Sequence, residues 1–253
     1  MSVTGERVST PEGGFNPTYQ RHVAAYALCE PFLPPGGRVL DLGCGAGHSF
    51  HLLAPRETVG VDLSAEALAG QDRETYVADM RDLPLEPASF DAVLSVHSIE
   101  HVPDARPVLG ETARVLRPGG VAIFVTPNRL TFGRPDEIID PYHFVEYDPE
   151  QMRALMAGTF SDVAIHGIFG SARMQEFIDG EKKRMDRVLA LDFLKLRRRA
   201  PTRFLQWAYD VTLRGTRRTT TPEAAAITVD DFTLRSDDLA ECLDVVAVCK
   251  QQH

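Results

Sequence analysis

Three glycines near the start of the chain have the spacing of a ligand-binding turn. Gly43, Gly45 and Gly47 lie in the sequence VLDLGCGAG, after a buried apolar run and before a predicted helix. Glycine lets the backbone turn tightly and approach a ligand, and a helix start offers free N–H groups to an anionic group. A plain strand-to-helix turn and other nucleotide-binding Rossmann proteins share this pattern, so the loop alone leaves the ligand open.

Two further segments indicate a nucleoside ligand. Asp62 ends the apolar run of VGVDLS, where a carboxylate can accept hydrogen bonds from a ribose diol or cap a helix. Asp79 and Met80 follow the next run, where the carboxylate suits an adenine amino group and the thioether suits the ring face. Dinucleotide enzymes also carry an acidic residue about 20 residues after their glycines. This chain has His48 where their third glycine would stand.

The elements that must position these residues follow a repeating pattern. Between residues 38 and 126, short β-branched runs alternate with helix-like stretches, which predicts a parallel sheet covered by helices on both faces. Asn16-Pro17 and Asp148-Pro149 are helix-start signals, and the second helix is predicted to end at Gly158. The predicted strands are Val39–Leu42, Thr58–Asp62, Thr75–Val77, Phe90–Val96, Val121–Thr126, Val163–Ile168 and Leu243–Cys249.

Five motifs in a fixed order carry a resemblance to a known family. VLDLGCGAG, VGVDLS, ADMRDLPL, SIEHV and LRPGG occur between residues 36 and 168. Together they resemble the class I S-adenosylmethionine-dependent methyltransferases, particularly the small-molecule branch that includes ubiquinone and menaquinone biosynthesis enzymes. The resemblance implies an α/β, Rossmann-like, seven-stranded and mostly parallel sheet. Its last strand would be antiparallel, and its cofactor would be S-adenosylmethionine.

The same resemblance implies a set of cofactor contacts. In such proteins the residue at Asp41 supports the amino-acid end of the cofactor, and His97 lies beneath its methionine portion. The full expected set is Asp41, Gly43, Cys44, Gly45, Asp62, Leu63, Asp79, Met80 and His97.

Methyl transfer also needs an aligned acceptor and removal of its proton. For a hydroxyl acceptor, a base of near-neutral pKa helps, which indicates histidine. His143 lies in DPYHFVEY, which resembles a proline-x-histidine segment of hydroxyl-methylating relatives, and Glu146 can orient it. His101 is the second candidate, although loop capping for His143 and packing for His101 are alternatives. The sequence thus predicts O-methylation of a phenolic, quinone-like or glycosyl hydroxyl without a metal, since no residues show metal-ligand spacing.

The long stretch before the last predicted strand indicates an insertion. We predict an N-terminal helical cap over residues 1–35, a cofactor-binding core over 36–170 and 223–253, and a helical insertion over 171–222. Tyr19, Arg21 and Tyr26 on the first helix could cover the cofactor. His22 and His51 are expected to be surface or packing residues.

Charge is distributed unevenly along the chain. The net charge is -9, yet residues 181–220 carry 12 Lys or Arg against 4 Asp or Glu. The acidic body excludes nucleic acid as a partner, whereas the basic insertion, with an apolar stripe of Phe204, Trp207, Ala208 and Val211, could cover the active site or dock on an anionic membrane. No signal peptide or membrane span is evident, so a cytoplasmic location is expected.

Two alternatives to a methyltransferase remain at this point. One is a non-catalytic S-adenosylmethionine-binding regulatory or scaffold protein, and the other is a nicotinamide-dependent oxidoreductase. The sequence indicates a small-molecule substrate but neither the identity of the acceptor nor the oligomeric state. The four cysteines show no metal or disulfide spacing and are expected to be reduced.

Overall fold

The apolar runs of the sequence form one eight-stranded sheet. The structure, a computed structural model, describes residues 16–132, 138–190, 201, 203–206, 211 and 221–251. The strands are β1 (Arg38–Leu42), β2 (Glu57–Asp62), β3 (Glu74–Val77), β4 (Phe90–Val96), β5 (Leu116–Pro127), β6 (Asp162–Gly170), β7 (Phe232–Arg235) and β8 (Asp244–Lys250).

The strand order is β3-β2-β1-β4-β5-β8-β6-β7. Strands β1 to β5 are parallel, and β8 runs antiparallel between β5 and β6. The predicted α/β class and the antiparallel last strand are therefore confirmed. The predicted count of seven strands is wrong by one, because β7 adds an antiparallel edge beside β6. Its four residues, FTLR, are too few to show a clear alternation in the sequence.

Seven helices with described bounds, a helical stretch at residues 203–206 and several 3₁₀ turns lie in the described ranges. The helices are α1 (Asn16–Cys29), α2 (Ala65–Leu68), α3 (Arg106–Val115), α4 (Arg129–Phe132), α5 (Pro149–Ala157), α6 (Ala172–Ala190) and α7 (Pro222–Ala225). Asp148 caps α5 through a capping box with Gln151, and the helix ends at Gly158 as predicted. Among these helices, none is long and apolar enough to cross a membrane.

The α-helix expected after the glycine loop is absent from this described part of the chain, and the loop leads instead into a 3₁₀ turn at Phe50–Leu53. Gly47 is still in a left-handed conformation at φ 66°, and Pro55 follows shortly after. An α-helix needs several residues between such interruptions, and these leave room for little more than one turn. The prediction that an α-helix begins at this loop and directs its dipole at a ligand is therefore wrong.

Helices cover both faces of the sheet. On one face α3 and α5 bury Leu109 and Met152 against a core that includes Leu40 and Phe124. On the other face α1 and α6 bury Tyr26, Met174 and their neighbours against a second core. The N-terminus of α1 is fixed because the Asn16 amide donates to the carbonyls of Ala224 at 2.8 Å and Ile227 at 3.0 Å. These contacts hold α1 over the sheet next to its carboxyl edge.

Candidate active site

A cleft opens where the carboxyl ends of β1, β2 and β4 meet the first helix. It holds about 960 Å³ of space, including the part open to solvent. Carboxyl edges of parallel strands are the usual ligand position in such sheets. The lining residues are His22, Tyr26, Gly43, Cys44, Gly45, Ala46, His48, Val61, Asp62, Leu63, Ala78, Met80, Val96, His97, Ser98, His101 and Val102.

The glycine loop has one glycine that packs closely on the protein and one that borders open space. Gly43 and Gly45 have φ values of 75° and 52°, which favour glycine. A Cβ at Gly43 would lie 2.3 Å from the Ser98 hydroxyl, whereas a Cβ at Gly45 would meet no protein atom within 4 Å. The loop therefore leaves open space on its Gly45 side, which faces the cleft.

Asp62 connects this loop to the end of β2. Its Oδ2 accepts from the Gly45 N–H at 2.9 Å, and its Oδ1 accepts from the Ser64 N–H at 2.8 Å. A carboxylate oxygen has two lone pairs, so both oxygens keep acceptor capacity for a further donor. Ala78 and Met80 supply an apolar wall to the same cleft, and the neighbouring Leu63 is 68% exposed.

Asp79 is arranged differently from the expected adenine contact. Its carboxylate accepts from Arg81 Nε at 2.9 Å and from Arg81 Nη2 at 2.6 Å. Hydrogen bonds from Arg81 outweigh burial and lower the pKa of Asp79. Asp79 itself does not line the cleft, although both of its neighbours in sequence do.

Asp41 lies behind the cleft and is fully buried. It accepts from the Tyr26 hydroxyl at 2.7 Å and pairs with Arg73 at 2.8 Å. Arg73 reaches Asp41 across Gly60, where a Cβ would lie 3.0 Å from the guanidinium. Burial opposes the charge of Arg73, but Asp41 keeps the pKa of this guanidinium above its usual value. The ion pair therefore stabilises the strand from which the glycine loop departs.

A chain of polar side chains joins α1 to the end of β4. Asp244 accepts from His97 Nε2 at 2.7 Å and from Arg21 Nε at 2.7 Å. His97 Nδ1 lies 2.8 Å from His22 Nε2, and His97 adopts φ 49°, a strained value for histidine. Since Asp244 accepts the Nε2 proton, Nδ1 of singly protonated His97 is an acceptor and His22 is the donor.

The charge state of this chain is set by burial and by its neighbours. Burial would raise the pKa of Asp244, but Arg21 and His97 hold it at about 2. Burial, followed by the nearby His97, His48, Arg21 and His101, lowers the pKa of His22 well below 6.5. His22 is therefore neutral at physiological pH, and Asp244 is ionised.

The three predicted catalytic residues lie together at the other side of the cleft. His101 ends a 3₁₀ turn after β4, and its ring centroid lies 5.1 Å from that of His143. His143 Nδ1 lies 3.1 Å from Glu146 Oε1. The loop is held in place by the backbone of Glu100, whose carbonyl accepts from the Phe144 N–H at 2.9 Å. His101 also lines the cleft, so the pair stands beside the space for the cofactor.

The proton positions of this pair follow from their partners. The Tyr142 carbonyl, 3.1 Å from His101 Nδ1, can only accept, so this nitrogen donates. The Glu146 carboxylate likewise accepts from His143 Nδ1, which leaves a lone pair on Nε2 of each neutral ring. Burial opposes protonation of His143, but the hydrogen bond to Glu146 and the charges of Glu100, Asp140 and Glu146 raise its pKa above 6.5.

Several site residues were missed by reasoning from the sequence. His22 was expected to be a surface or packing residue, but it lines the cleft, and its position four residues before Tyr26 on one helix face was the available signal. Arg73, Glu100 and Asp244 had no local signal. Their roles depend on contacts between distant segments.

Comparison with known proteins identifies relatives of this chain. The family model described as "Methyltransferase domain" matches residues 40–124. A probable S-adenosylmethionine-dependent methyltransferase of Mycolicibacterium smegmatis is 33% identical over 70% of this chain and 72% of its own length. A ubiquinone biosynthesis O-methyltransferase of Idiomarina loihiensis is 27% identical over 72% of this chain and 86% of its own length.

A solved structure supports the same fold. The chain superposes with a TM-score of 0.61 on a methyltransferase of Thermotoga maritima described as a possible histamine N-methyltransferase. The match covers 92% of this chain and 90% of that one at 17% identity. At this identity the likeness concerns the Rossmann-like fold alone.

Proposed function

Because this chain belongs to the S-adenosylmethionine-dependent methyltransferases, we propose that it methylates a hydroxyl group of a small molecule with His143 as general base. Family membership makes the chain an enzyme that uses S-adenosylmethionine. It removes the nicotinamide and non-catalytic alternatives that the glycine loop alone left open.

The cleft fits the cofactor in shape and in polarity. The open space beside Gly45 admits a ligand close to the backbone, and Asp62 has acceptor capacity for a ribose diol. Met80 contributes apolar surface for an adenine ring. We propose the remaining contacts at Asp41, Gly43, Cys44, Leu63, Asp79 and His97. Asp41 would act through its buried pair with Arg73, and Asp79 from beside the cleft, between the lining residues Ala78 and Met80. When bound, S-adenosylmethionine supplies a methyl carbon that its sulfonium sulfur activates for in-line displacement.

The observation that carries the proposal is the orientation of His143. Glu146 holds Nδ1 of this ring, and Nε2 keeps a lone pair beside His101 and the cleft. His143 Nε2 takes the proton of the acceptor hydroxyl as the oxygen–carbon bond forms and the carbon–sulfur bond breaks. Glu146 then stabilises the imidazolium, which later releases the proton to solvent.

The surroundings of His143 favour an acceptor with an apolar part. Leu130, Ile138 and Phe144 are 57%, 39% and 59% exposed, on the segments before and around His143. Exposed large apolar side chains close to an active site are typical of ligand-binding surfaces. A phenolic or quinone-like hydroxyl fits such a surface, and a glycosyl hydroxyl on an apolar scaffold is the other acceptor of this class.

Replacement of His143 by Ala tests the proposed base. We expect turnover to fall about 10²- to 10⁴-fold, the usual range for a positioned acid–base group, with little change in cofactor affinity. His51, which is exposed and outside the cleft, provides the matched control variant His51→Ala. Labelled methyl donor with an extract of the native host, followed by mass analysis, identifies the acceptor for this assay. Full activity of His143→Ala would remove His143 from catalysis.

We also propose that residues 171–222 cover the acceptor site and touch anionic membranes. The Gln206 amide donates to the Pro141 carbonyl at 3.3 Å, which ties this insertion to the loop that carries His143. Phe204 and Val211 are 55% and 49% exposed. Trp207, Ala208 and Arg197 to Arg199 lie outside the described residues. A cytoplasmic location stays a prediction from the sequence.

A further inference from the structure

Glu100 is a buried carboxylate that the proposed base mechanism leaves without a role. The residue is 1% exposed and directly precedes His101. Its Oε2 accepts from the Thr126 hydroxyl at 3.0 Å, but its Oε1 is buried and has no hydrogen-bond partner among the described residues. An ionised carboxylate with an unsatisfied buried oxygen is strongly destabilising unless a cation is nearby. A positive charge at this place would remove the cost.

The groups around Glu100 are donors suited to a metal ion. One ligand atom each of Glu100, His101 and His143 lie within 4.8 Å of one another. Metal–ligand bonds of about 2.0–2.2 Å place ligand atoms at most about 4.4 Å apart, so a small contraction of the three side chains completes a site. Two imidazoles and one carboxylate leave further coordination positions open.

The hydrogen bonds behind the two histidines match those of metal-bound imidazoles. A ligating histidine usually donates its other ring N–H to a carboxylate or a backbone carbonyl, which fixes the ring and its tautomer. His143 donates to Glu146 and His101 donates to the Tyr142 carbonyl. Each neutral ring therefore keeps a lone pair on Nε2 for a cation, while Glu100 contributes Oε1. Asp140 Oδ2 lies 4.0 Å from His143 Nε2 and adds a further negative charge beside the site. Glu146 Oε2, also buried without a partner in the described ranges, adds negative charge close to the cluster.

We propose that Glu100, His101 and His143 form a binding site for one divalent first-row transition-metal ion, such as Zn²⁺ or Fe²⁺. Imidazole donors favour Zn²⁺ and Fe²⁺ over Mg²⁺, Ca²⁺ and Mn²⁺, which prefer oxygen. This proposal runs against the metal-free catalysis expected from sequence spacing. Spacing could not indicate the site, because His143 comes from a loop far from Glu100 in the chain.

The position of the site gives the ion a chemical role, which rests on the proposed hydroxyl methylation. His101 borders the cofactor cleft, so an open coordination position of the ion faces the space for the acceptor. A bound cation lowers the pKa of a hydroxyl that coordinates it. The hydroxyl proton then passes to water, the metal-bound oxygen forms the bond to the methyl carbon, and the carbon–sulfur electron pair returns to sulfur. When the ion is bound, His143 is one of its ligands and does not act as the general base. The ion then activates the acceptor hydroxyl in place of His143.

Titration of the untagged, metal-free protein with Co²⁺ and with Zn²⁺ tests the site without any substrate. We expect one Co²⁺ per chain, visible d–d absorption that Zn²⁺ abolishes, and a higher melting temperature with Zn²⁺. Glu100→Gln keeps an oxygen for Thr126 and removes the buried charge, so the metal-free variant should melt no lower than wild type. It should bind Co²⁺ at least about 10-fold more weakly, as should His143→Gln. His51→Gln, on the exposed surface, should bind as wild type does.

The outcomes separate the ion from the proposed function. Failure of Co²⁺ to bind wild type, or binding to Glu100→Gln and His143→Gln as tight as to wild type, would overturn the metal site. Methylation assays on metal-free and metal-loaded protein supply the second arm. If the enzyme binds the metal specifically but methylates only nitrogen or carbon acceptors, the metal site is supported and the proposed hydroxyl methylation is wrong. If the protein methylates a hydroxyl but binds no Co²⁺, the metal site is wrong and the proposal of His143 as general base is retained.

Discussion

Asp62 is a cleft side chain that organises the local fold and that we propose as a ligand contact. Its two oxygens hold the backbone of Gly45 and Ser64, which fixes the glycine loop relative to β2. The residue type and its place after an apolar run were enough to predict it. The hydrogen bond from the Gly45 N–H could not be predicted from the sequence, because it depends on the three-dimensional path of the loop.

Replacement of Asp62 by Ala should weaken cofactor binding. Loss of charge-assisted hydrogen bonds to a ribose diol costs roughly 1.5–3 kcal/mol, which is about 10- to 100-fold in affinity for S-adenosylmethionine and its demethylated product. Calorimetric titration of both ligands measures this loss. Asp72→Ala, at an exposed carboxylate, is the matched control. Unchanged affinity in a folded Asp62→Ala protein would refute a role of Asp62 in binding.

Histidines in this chain show the limit of residue-level reasoning. His143 and His101 were predicted from their position after strands and from the motif around His143, and the structure brings them within one cluster. Nothing in the local sequence indicates that His22 meets His97, because the two residues are 75 positions apart. Local spacing predicts which residues lie at the sheet edge, but pairing depends on how the elements pack.

Elements were predicted well where one physical signal dominated. Buried parallel strands are nearly continuous apolar runs, so β1, β2, β4 and β5 were found from composition alone. Asp148 capped α5 as its sequence predicted. The edge strand β7 and the 3₁₀ turn at Phe50–Leu53 were not found. Strand β7 is too short to show a pattern. At Phe50–Leu53, the left-handed Gly47 and the nearby Pro55 prevent the α-helix that the sequence pattern predicts.

The attachment of α1 to the sheet should weaken in mild acid. His22 has a folded-state pKa below its unfolded value of 6.5, so the unfolded chain binds more protons as pH falls below 6.5 and folding stability decreases. The facing groups His97, His48, Arg21 and His101 all add to this effect. Asp244 acts in a separate window, since its pKa of about 2 makes its contribution fall only between about pH 4 and pH 2.

Denaturant unfolding between pH 7.5 and 5 measures the effect on α1. We expect wild type to lose more stability over this range than His22→Gln, which cannot be protonated at that position. His51→Gln removes an exposed histidine and should keep the pH dependence of wild type. An equal slope for wild type and His22→Gln would show that His22 keeps an ordinary pKa in the folded protein.

At the scale of the whole molecule, charge is separated between an acidic body and a basic segment, which belongs to the proposed insertion. Outside residues 181–220 the chain has 15 basic and 32 acidic residues, so this part repels anionic surfaces, whereas residues 181–220 have 12 basic and 4 acidic residues. In the described part, α6 contributes Lys182, Lys183, Arg184 and Arg187 to this insertion. Composition alone predicted this asymmetry, but the path of residues 191–200 and 212–220 lies outside the described residues.

Liposome sedimentation tests the proposed membrane contact. Binding should increase with anionic lipid content and decrease with salt. Each basic residue near such a surface contributes about 1 kcal/mol, so charge reversal of Arg197, Arg198 and Arg199 to Glu should weaken binding by roughly 100-fold or more. The control reverses three charges on the body, at Arg106, Arg117 and Lys250. If the protein does not bind anionic liposomes at low salt, the membrane contact is wrong and the proposed insertion only covers the acceptor site.

The late position of β8 in the chain has a consequence for the order in which the protein folds during synthesis. Arg21 leaves the ribosome early and Asp244 late, 223 positions further along the chain. Contacts between segments so far apart form after local ones, because closing a long loop costs entropy. The nascent chain therefore acquires strands β1 to β5 before the carboxylate that anchors His97 and α1 exists. Cofactor capture should therefore follow the synthesis of β8, and a stalled chain that ends before β8 should expose to chaperones and proteases a first helix that is not yet anchored.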